Sequence, residues 1–519
     1  MGCFYIESPG MRQLLRKLGT QTFEELTAAS SVIRPGVAES GMMQEFIKRH
    51  RDPSAATYLH PKLKKILVET YGVMIYQEDV IRVAHELAGM TLAEADLLRR
   101  AMSGKLRSSE AMAGVREKFL RACARNGLSQ SAAAELWRQI RSFAGYAFCK
   151  AHSAAFAVLS FQVAYLKAHH PAEFMAAVMS NHGGFYSTSA YIQECRRLGL
   201  RILLPDVNAS ELDFTAAENG SAIRVGLSQI GEVRTSTIES ILAARKRGGR
   251  FTSLADLIRR TDARLSDLTV LIRVGALDSL GFTRPRLMAL LRSEFAPNHT
   301  QGDFLPLADE AQFRALAESL PNLADYDRVV RCYHEMKYLG FGVTDHPLAF
   351  IAASGGDVVS AKDLPQHVGE TVRIIGWCIA QKRVDIARRQ ASREAGKRAA
   401  MDMASARNDG EGEGDDSRQS AAEELGIIAS GERKFIPAGR AMKFMSMEDL
   451  TGTYEAVLFP DAYDKFAHIA TRPGPFVVTG RVEEQLGGLA VNVSDLTLAG
   501  AIEHKSQPQL VARARMPPG

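Results

Sequence analysis

Two runs of residues carry side chains able to do chemistry. Leu97-Leu98-Arg99-Arg100-Ala101-Met102-Ser103-Gly104-Lys105 ends an amphipathic helical pattern on two arginines and follows them with a lysine. Arginine forks take phosphate oxygens in pairs, and a lysine adds a point charge. The same cations also suit a solvated helix end, where they complement the dipole. The second run, Phe143-Ala-Gly-Tyr-Ala-Phe-Cys-Lys-Ala-His-Ser-Ala-Ala-Phe156, sets aromatic rings (Tyr146 among them) with Lys150 and His152 on a Gly-broken segment ahead of a helix. Such a segment can stack a base and hold a phosphate. It can equally pack as an aromatic turn with one exposed lysine.

The carboxylates are less promising. In Tyr76-Gln77-Glu78-Asp79 the two acids are adjacent, and adjacent helical side chains point apart, so a shared metal is not expected. Asp325-Tyr326-Asp327 is the one D-x-D in the chain and sits in a polar helical stretch, which reads as surface. The sequence holds no Walker loop, G-x-G-x-x-G, H-E-x-x-H or nucleophile elbow. No metal site is therefore assigned.

These residues need a scaffold, and composition bounds it. The chain has 519 residues, 46% hydrophobic and 24% charged. That is ordinary globular usage with room for three to five domains, roughly 100–200 residues each. It excludes a collagenous or wholly disordered chain. No window has the roughly 18 uninterrupted apolar residues of a spanning helix, so no membrane role is expected. The start, Met-Gly-Cys-Phe-Tyr-Ile-Glu-Ser-Pro, lacks the pattern of a secretory signal. Six cysteines (3, 123, 149, 195, 332 and 378) stand singly, which argues against disulfides or zinc and suits a reducing cytoplasm. Net charge is +5, yet residues 1–170 hold 23 Lys/Arg against 15 Asp/Glu, a local +8 that leaves −3 for the rest. A basic first third fits a polyanion partner, nucleic acid or nucleotide.

Residues 1–200 read mainly as helix, with three- and four-residue apolar spacing over Met11–Leu18, Thr22–Ser30, Ile81–Ala88, Leu92–Met102, Ala132–Phe143 and Phe156–Ala168. In 201–282 a strand-like Ala222–Leu227 leads into helices at Thr235–Arg247, Leu254–Arg260 and Leu265–Val274, closing on Gly275-Ala276-Leu277. That pattern fits a backbone-binding helix-hairpin-helix or a small helical connector. Residues 283–370 form a helical linker. From 371 to 501 the signals become β: Val372–Ile379, Lys443–Met447, Tyr454–Phe459, Phe476–Val482 and Leu489–Val493, with a helix at Ala462–Ile469. Five short strands with that helix match a Greek-key barrel of OB type. A low-complexity insert at about 384–435 and a tail at 502–519 read as disordered, the insert partly helical at most.

Read together, several motifs resemble the bacterial C-family replicative DNA polymerases, the DNA polymerase III alpha subunits. They are Gly2-Cys-Phe-Tyr-Ile-Glu-Ser-Pro-Gly-Met-Arg12, Ile33-Arg34-Pro35-Gly36 with Ser40-Gly41-Met42, Tyr71-Gly72-Val73-Met74-Ile75-Tyr76-Gln77-Glu78, Leu98–Met102, Phe143–Ser153 and Leu166–Met175. Tyr338-Leu-Gly-Phe341 with His346-Pro-Leu348, and Met447–Gly452 with Val457–Pro460, continue the series in order.

The resemblance implies a multidomain chain: mainly α-helical fingers with a palm edge, then a helix-hairpin-helix region, then an all-β five-stranded OB-type barrel. By the same resemblance Arg99, Arg100 and Lys105 lie by the triphosphate of an incoming deoxynucleoside triphosphate. Arg34, Gln77, Tyr146, Lys150 and His152 line the DNA primer-template. Gln301-Gly302-Asp303-Phe304-Leu305 looks like the family's sliding-clamp peptide. Ser228 and Gln229 stand where many relatives place a lysine and a glycine, which implies weaker DNA contact there.

Family members hold two Mg²⁺ on three palm aspartates, and those lie upstream of the Gly2-Cys-Phe motif. The expectation is a polymerase portion that binds nucleotide and DNA but carries no catalytic residue and binds no metal alone, so that it needs a separate palm-containing polypeptide. The rival readings are a non-catalytic DNA- or clamp-binding module and a truncated gene product.

Overall fold

The structure is a computed structural model that describes residues 1–33, 41–102, 109–142, 149–294, 310–351, 357–385, 441–472 and 474–500. Arg34, Lys105, Tyr146, the segment Gln301–Leu305, most of the low-complexity insert and the tail lie outside these residues.

The first core is helical. It is built by α1 (Pro9–Leu18), α2 (Phe23–Val32), α3 (Met42–Arg51), α4 (Pro61–Ile66), α5 (Gln77–Arg82, continued by a π turn Val83–Leu87), α6 (Leu92–Met102), α7 (Ser109–Arg125) and α8 (Gln130–Ser142). Their starts are written in the sequence. Thr22 and Glu25 form a capping box on α2, and Ser8 accepts from the Met11 N–H on α1. The apolar faces meet around Leu14, Val32, Phe46, Met74, Leu98 and Phe119, all nearly inaccessible to solvent. Helix α9 (Lys150–His169) runs from this core to the next.

The second core starts with α10 (Pro171–Ser180) and α11 (Thr188–Arg197) and extends to Val343. A small sheet of β1 (Arg201–Leu203), β2 (Thr215–Ala217) and β3 (Ala222–Arg224) lies within it, in the order β1-β3-β2. The hairpin helices follow: α12 (Thr235–Gly248), α13 (Leu254–Arg260) and α14 (Leu265–Arg273). Helices α15 (Arg284–Glu294), α16 (Glu310–Ser319) and α17 (Arg328–Tyr338) close on the same apolar interior through Leu287, Leu291, Phe313 and Tyr338.

One buried carboxylate ties the hairpin. Asp267 accepts from the Arg234 guanidinium, the Thr237 hydroxyl and the Arg264 N–H, fixing the starts of α12 and α14 together. Against the upward push of burial, the hydrogen bonds from Arg234 and Arg264 hold its carboxyl below the ordinary range. Gly226 is required by close approach, since a Cβ there would lie 2.4 Å from the Leu212 carbonyl. Gly275 is required twice, by a φ of +86° and by the Arg284 guanidinium 2.2 Å from the Cβ position.

The third core is the barrel. Strands β4 (Thr371–Asp385), β5 (Ala441–Glu448), β6 (Thr453–Leu458), β7 (Phe476–Gln485) and β8 (Gly488–Leu498) close in the order β4-β5-β6-β8-β7, with α18 (Pro460–Ala470) between β6 and β7. This is the OB-type arrangement. Strand β4 runs through Val384 and Asp385, which had been expected to open the insert. They stay in the sheet because β5 supplies partners, Val384 facing Met442 and Asp385 facing Ala441.

The barrel is pinned to both helical cores. Arg12 on α1 donates to Thr453 Oγ1 at 2.9 Å, and Lys17 reaches Gln485 at 3.2 Å. Arg197 on α11 meets the buried Glu448 at 3.3 Å. Glu455 on β6 accepts from Ser446 at 2.8 Å near Arg12 and Arg16, and burial pushes its pKa up to about 7. No described helix is long and apolar enough to cross a membrane.

Two outcomes follow from this packing. Gly275→Ala should lower stability by about 2–3 kcal/mol in urea unfolding, because backbone strain and displacement of Arg284 add. Gly281→Ala, at the same φ but with open space around it, should lose only about 1 kcal/mol. At Glu455 the folded state holds a proton that the unfolded chain releases above its ordinary range. The penalty is thus absent below about pH 4.5 and grows as pH rises through about 7. Glu455→Gln should match the parent at pH 4.5 and gain up to about 3 kcal/mol on it by pH 8. A stability difference that does not vary with pH would contradict this.

Candidate nucleotide and primer-template site

The site is assembled where α5, α6 and the start of α9 meet. The turn before α5 is held by Asp79, whose Oδ2 accepts from the Ile75 and Tyr76 N–H groups, both at 2.9 Å. Burial dominates this carboxyl and pushes its pKa up to about 6, against the pull of those two N–H groups. The turn in turn fixes Gln77 at the first position of α5.

Gln77 Oε1 accepts from Arg99 Nη1 at 3.2 Å, across from α6. Arg99 also donates to Asp96 Oδ1 at 2.8 Å, and Arg100 Nε meets Asp96 Oδ2 at 2.7 Å. One carboxylate one turn earlier therefore aligns both forks. The hydrogen bond from Arg99, helped by the charge of Arg100, holds the Asp96 carboxyl below its ordinary range. The pair keeps a net positive charge at the end of the helix, where the dipole favours it.

Lys150 opens α9. Its N–H donates to Glu78 Oε2 at 2.9 Å, so a carboxylate on α5 caps the neighbouring helix. Its ammonium pairs with Glu69 and lies 5.5 Å from the Tyr76 ring centroid. His152 packs on Phe156 with ring centroids 4.6 Å apart, and Tyr5 stacks on the same Phe156 at 4.6 Å. The Gly2-Cys-Phe-Tyr segment thus meets α9 at Phe156, the ring that His152 also packs on. Glu7 anchors that segment, accepting from the Gly2 N–H at 2.6 Å, the Phe185 N–H at 2.7 Å and the Tyr191 hydroxyl.

Gln77 and Arg99 are therefore brought together with Arg100 beside them, Lys150 meets the flanking Tyr76 and Glu78, and His152 stands two residues along α9 on its other side. Asp96 and Glu69 are neighbours that sequence reasoning did not name, while Glu78, weighed there only as half of a metal pair, caps α9. Asp96 was readable as the acid three and four residues ahead of Arg99 and Arg100. Glu69 stands 81 residues from Lys150 and left no local signal. On the hairpin, Ser228 donates to Asp213 at 3.2 Å and Gln229 to Ser228 at 3.1 Å, so both side chains are engaged within the chain. Among the described residues no group of three or more His, Cys, Asp and Glu is placed to hold a metal.

Residues 1–127 match the model of the bacterial DNA polymerase III alpha subunit finger domain, and residues 199–287 match the helix-hairpin-helix motif. The DNA polymerase III subunit alpha of Escherichia coli O157:H7 is 32% identical over 513 residues, 95% of this chain and 40% of the relative. Nearly the whole of this chain thus aligns with bacterial DNA polymerase III alpha subunits. The error-prone DNA polymerase of Symbiobacterium thermophilum is 31% identical over 542 residues, 96% of this chain and 45% of the relative. The alpha subunit of Pseudomonas aeruginosa reaches 41% over 287 residues, 54% of this chain and 24% of the relative. The chain thus spans roughly two fifths of the relatives that it matches nearly throughout. The finger-domain match of the alpha-subunit family encloses Gln77, Arg99 and Arg100 and ends before Lys150.

The Glu78 cap gives a local test. Glu78→Ala should weaken the first turn of α9 by about 1 kcal/mol, which raises exchange of the Lys150 amide about fivefold in native-state hydrogen exchange. An unchanged rate would mean that the cap does not hold this end.

Proposed function

We propose that this chain is the part of a DNA polymerase III alpha subunit that holds the incoming nucleotide and the primer-template during DNA synthesis by nucleotidyl transfer. The observation that carries the reading is the paired guanidinium site, Arg99 and Arg100 set by Asp96 and Gln77, inside a span that matches the family's finger domain. Arg99 and Arg100 take the triphosphate oxygens, exchanging part of their contact with Asp96 for the more highly charged ligand. Such cations stabilise charge that builds on the transferring phosphoryl group. Lys150 and His152, near the start of α9, contribute to primer-template binding, and the hairpin helices and barrel extend DNA contact along the chain.

Nucleotidyl transfer in this family uses Mg²⁺, and the carboxylates around the site do not fit that ion. Asp79 is spent on two backbone N–H groups, Glu78 on the Lys150 N–H, and Asp96 on two arginines. The metals are assigned to a palm outside these residues. The chain by itself is then inactive and works with a palm-containing polypeptide. A sliding clamp is proposed as a further partner, through Gln301, Asp303, Phe304 and Leu305, on sequence grounds alone. The six cysteines, none in a disulfide, suit a cytoplasmic protein.

Fluorescence anisotropy with a primed DNA hairpin tests the DNA part. Affinity should fall at least tenfold between 50 and 200 mM salt, and Lys150→Ala should weaken it with a shallower salt slope. In the complete enzyme Arg100→Ala should lower kcat/KM for nucleotide at least tenfold. An unchanged kcat/KM, or no DNA binding by the chain, would overturn the assignment.

A further inference from the structure

A second concavity lies away from the paired arginines, between α7 and the loop that leads into α6. Its volume is about 500 Å³, within the roughly 300–1,000 Å³ of small-molecule sites. Met90 and Ala122 form a buried apolar floor. Lys118, Arg121 and Arg125 form a cationic wall, three and four residues apart, so that they share one side of α7. All three residues are exposed. The ordinary roles of helical cations do not account for them. Only Arg125 sits in the last turn of α7, where the dipole favours a cation. Arg121 and Arg125 are a like-charge pair four residues apart, a spacing that weakens a helix. Arg121 meets Glu117 at 3.7 Å with both side chains largely exposed, a contact of little worth in water. Glu94 also lines the cleft, but its carboxylate is engaged: it accepts from the Thr91 N–H at 3.0 Å and from the Thr91 hydroxyl at 2.9 Å. Those hydrogen bonds hold its carboxyl below the ordinary range, helped by the charges of Lys118 and Arg125.

We propose that this cleft is a second nucleotide site, one that takes a nucleoside polyphosphate. Lys118, Arg121 and Arg125 bind phosphate oxygens, the guanidinium forks in pairs and the ammonium as a point charge. The apolar floor at Met90 and Ala122 receives the base. Three cations gathered around one concavity repel each other until an anion neutralises them, and a ligand with several linked phosphates does so in one step. Shape separates this ligand from a DNA duplex. A duplex backbone is met by cations spread over a face or along a stripe, whereas these three line a single cleft with an apolar floor. The cleft is distinct from the paired guanidinium site, since Glu94 and Arg100 lie six residues apart on α6, about 9 Å of helix rise. This second site does not require the function proposed above.

The test uses the 519-residue chain and ATP carrying a fluorescent methylanthraniloyl group, read by anisotropy at 50 mM salt. The probe should bind at micromolar concentration. The double variant Lys118→Ala, Arg125→Ala should weaken binding at least tenfold and should unfold at the parent's temperature, because both residues are exposed. Lys118→Arg, which keeps the charge, should bind within threefold of the parent. No binding, or binding indifferent to the double variant, overturns the proposal. A probe that is lost with Arg100→Ala and kept in the double variant sits at the paired arginines, which overturns it too. Unlabelled ATP should displace the probe at a concentration at least fivefold below that of inorganic tripolyphosphate. Equal potency overturns the proposal in favour of a bare phosphate anion. Primed-hairpin binding is measured on the same samples, and the double variant should change it less than threefold. A tenfold loss there, with the nucleotide still bound, overturns the proposal in favour of the DNA backbone.

Discussion

The close seat of α9 on α2 is the contact on which the rest of the molecule depends. Small residues on both helices, Ser153 and Ala157 against Thr27 and Ser31, let the two backbones approach, and a hydroxyl pair locks them. Ring contacts add to that seat, Phe161 with Phe23 of α2 at 6.1 Å and Phe156 with Tyr5 at 4.6 Å. The position of α9 is set at its two ends, by the Glu78 cap on Lys150 and by the turn at His170-Pro171 into the second core. A bulky residue at Ser153 or Ala157 would move both ends together. The helix therefore acts as a strut that transmits the placement of the site to the hairpin unit.

Electrostatics around Arg99, Arg100 and Lys150 follow one pattern, in which each cation is paired with a carboxylate near the surface. Asp96 is solvent-facing and serves two arginines, so its grip on either is modest in water. Glu69 likewise meets Lys150 at the surface. The buried carboxylates do different work. Glu7, Asp79 and Asp267 accept backbone N–H groups at the starts of segments and spend their charge on shape. This division separates acids that organise the chain from acids that can be displaced.

Much of the fold was legible where local signals and tertiary packing agree. Leu92–Met102 and Leu254–Arg260 have the bounds their periodicity indicated, and the five barrel strands with their helix stand in order. The three-residue strands β1 and β2 were not legible, since so short a run carries no alternation. β4 is longer than its apolar run because pairing with β5 holds Gln381, Lys382 and Arg383 in the sheet despite their polarity. In the site, the paired arginines at the end of α6 and the Lys150–His152 run were visible in residue type, and Gln77 came from resemblance. The Lys150–Glu69 and Lys150–Glu78 contacts were invisible because they join distant segments through the fold alone.

The barrel's first connection has a consequence for how such proteins diversify. Asp385 and Ala441 are register partners, so the described parts of β4 and β5 end at the same rung of the ladder. Joining two such strand ends by fifty-odd flexible residues is in general only about 2 kcal/mol less favourable than joining them by five, since the entropy grows with the logarithm of length. Sequence can therefore accumulate at this rung without testing the strands that flank it. The same position would accept an engineered reporter domain at little cost to the closed barrel.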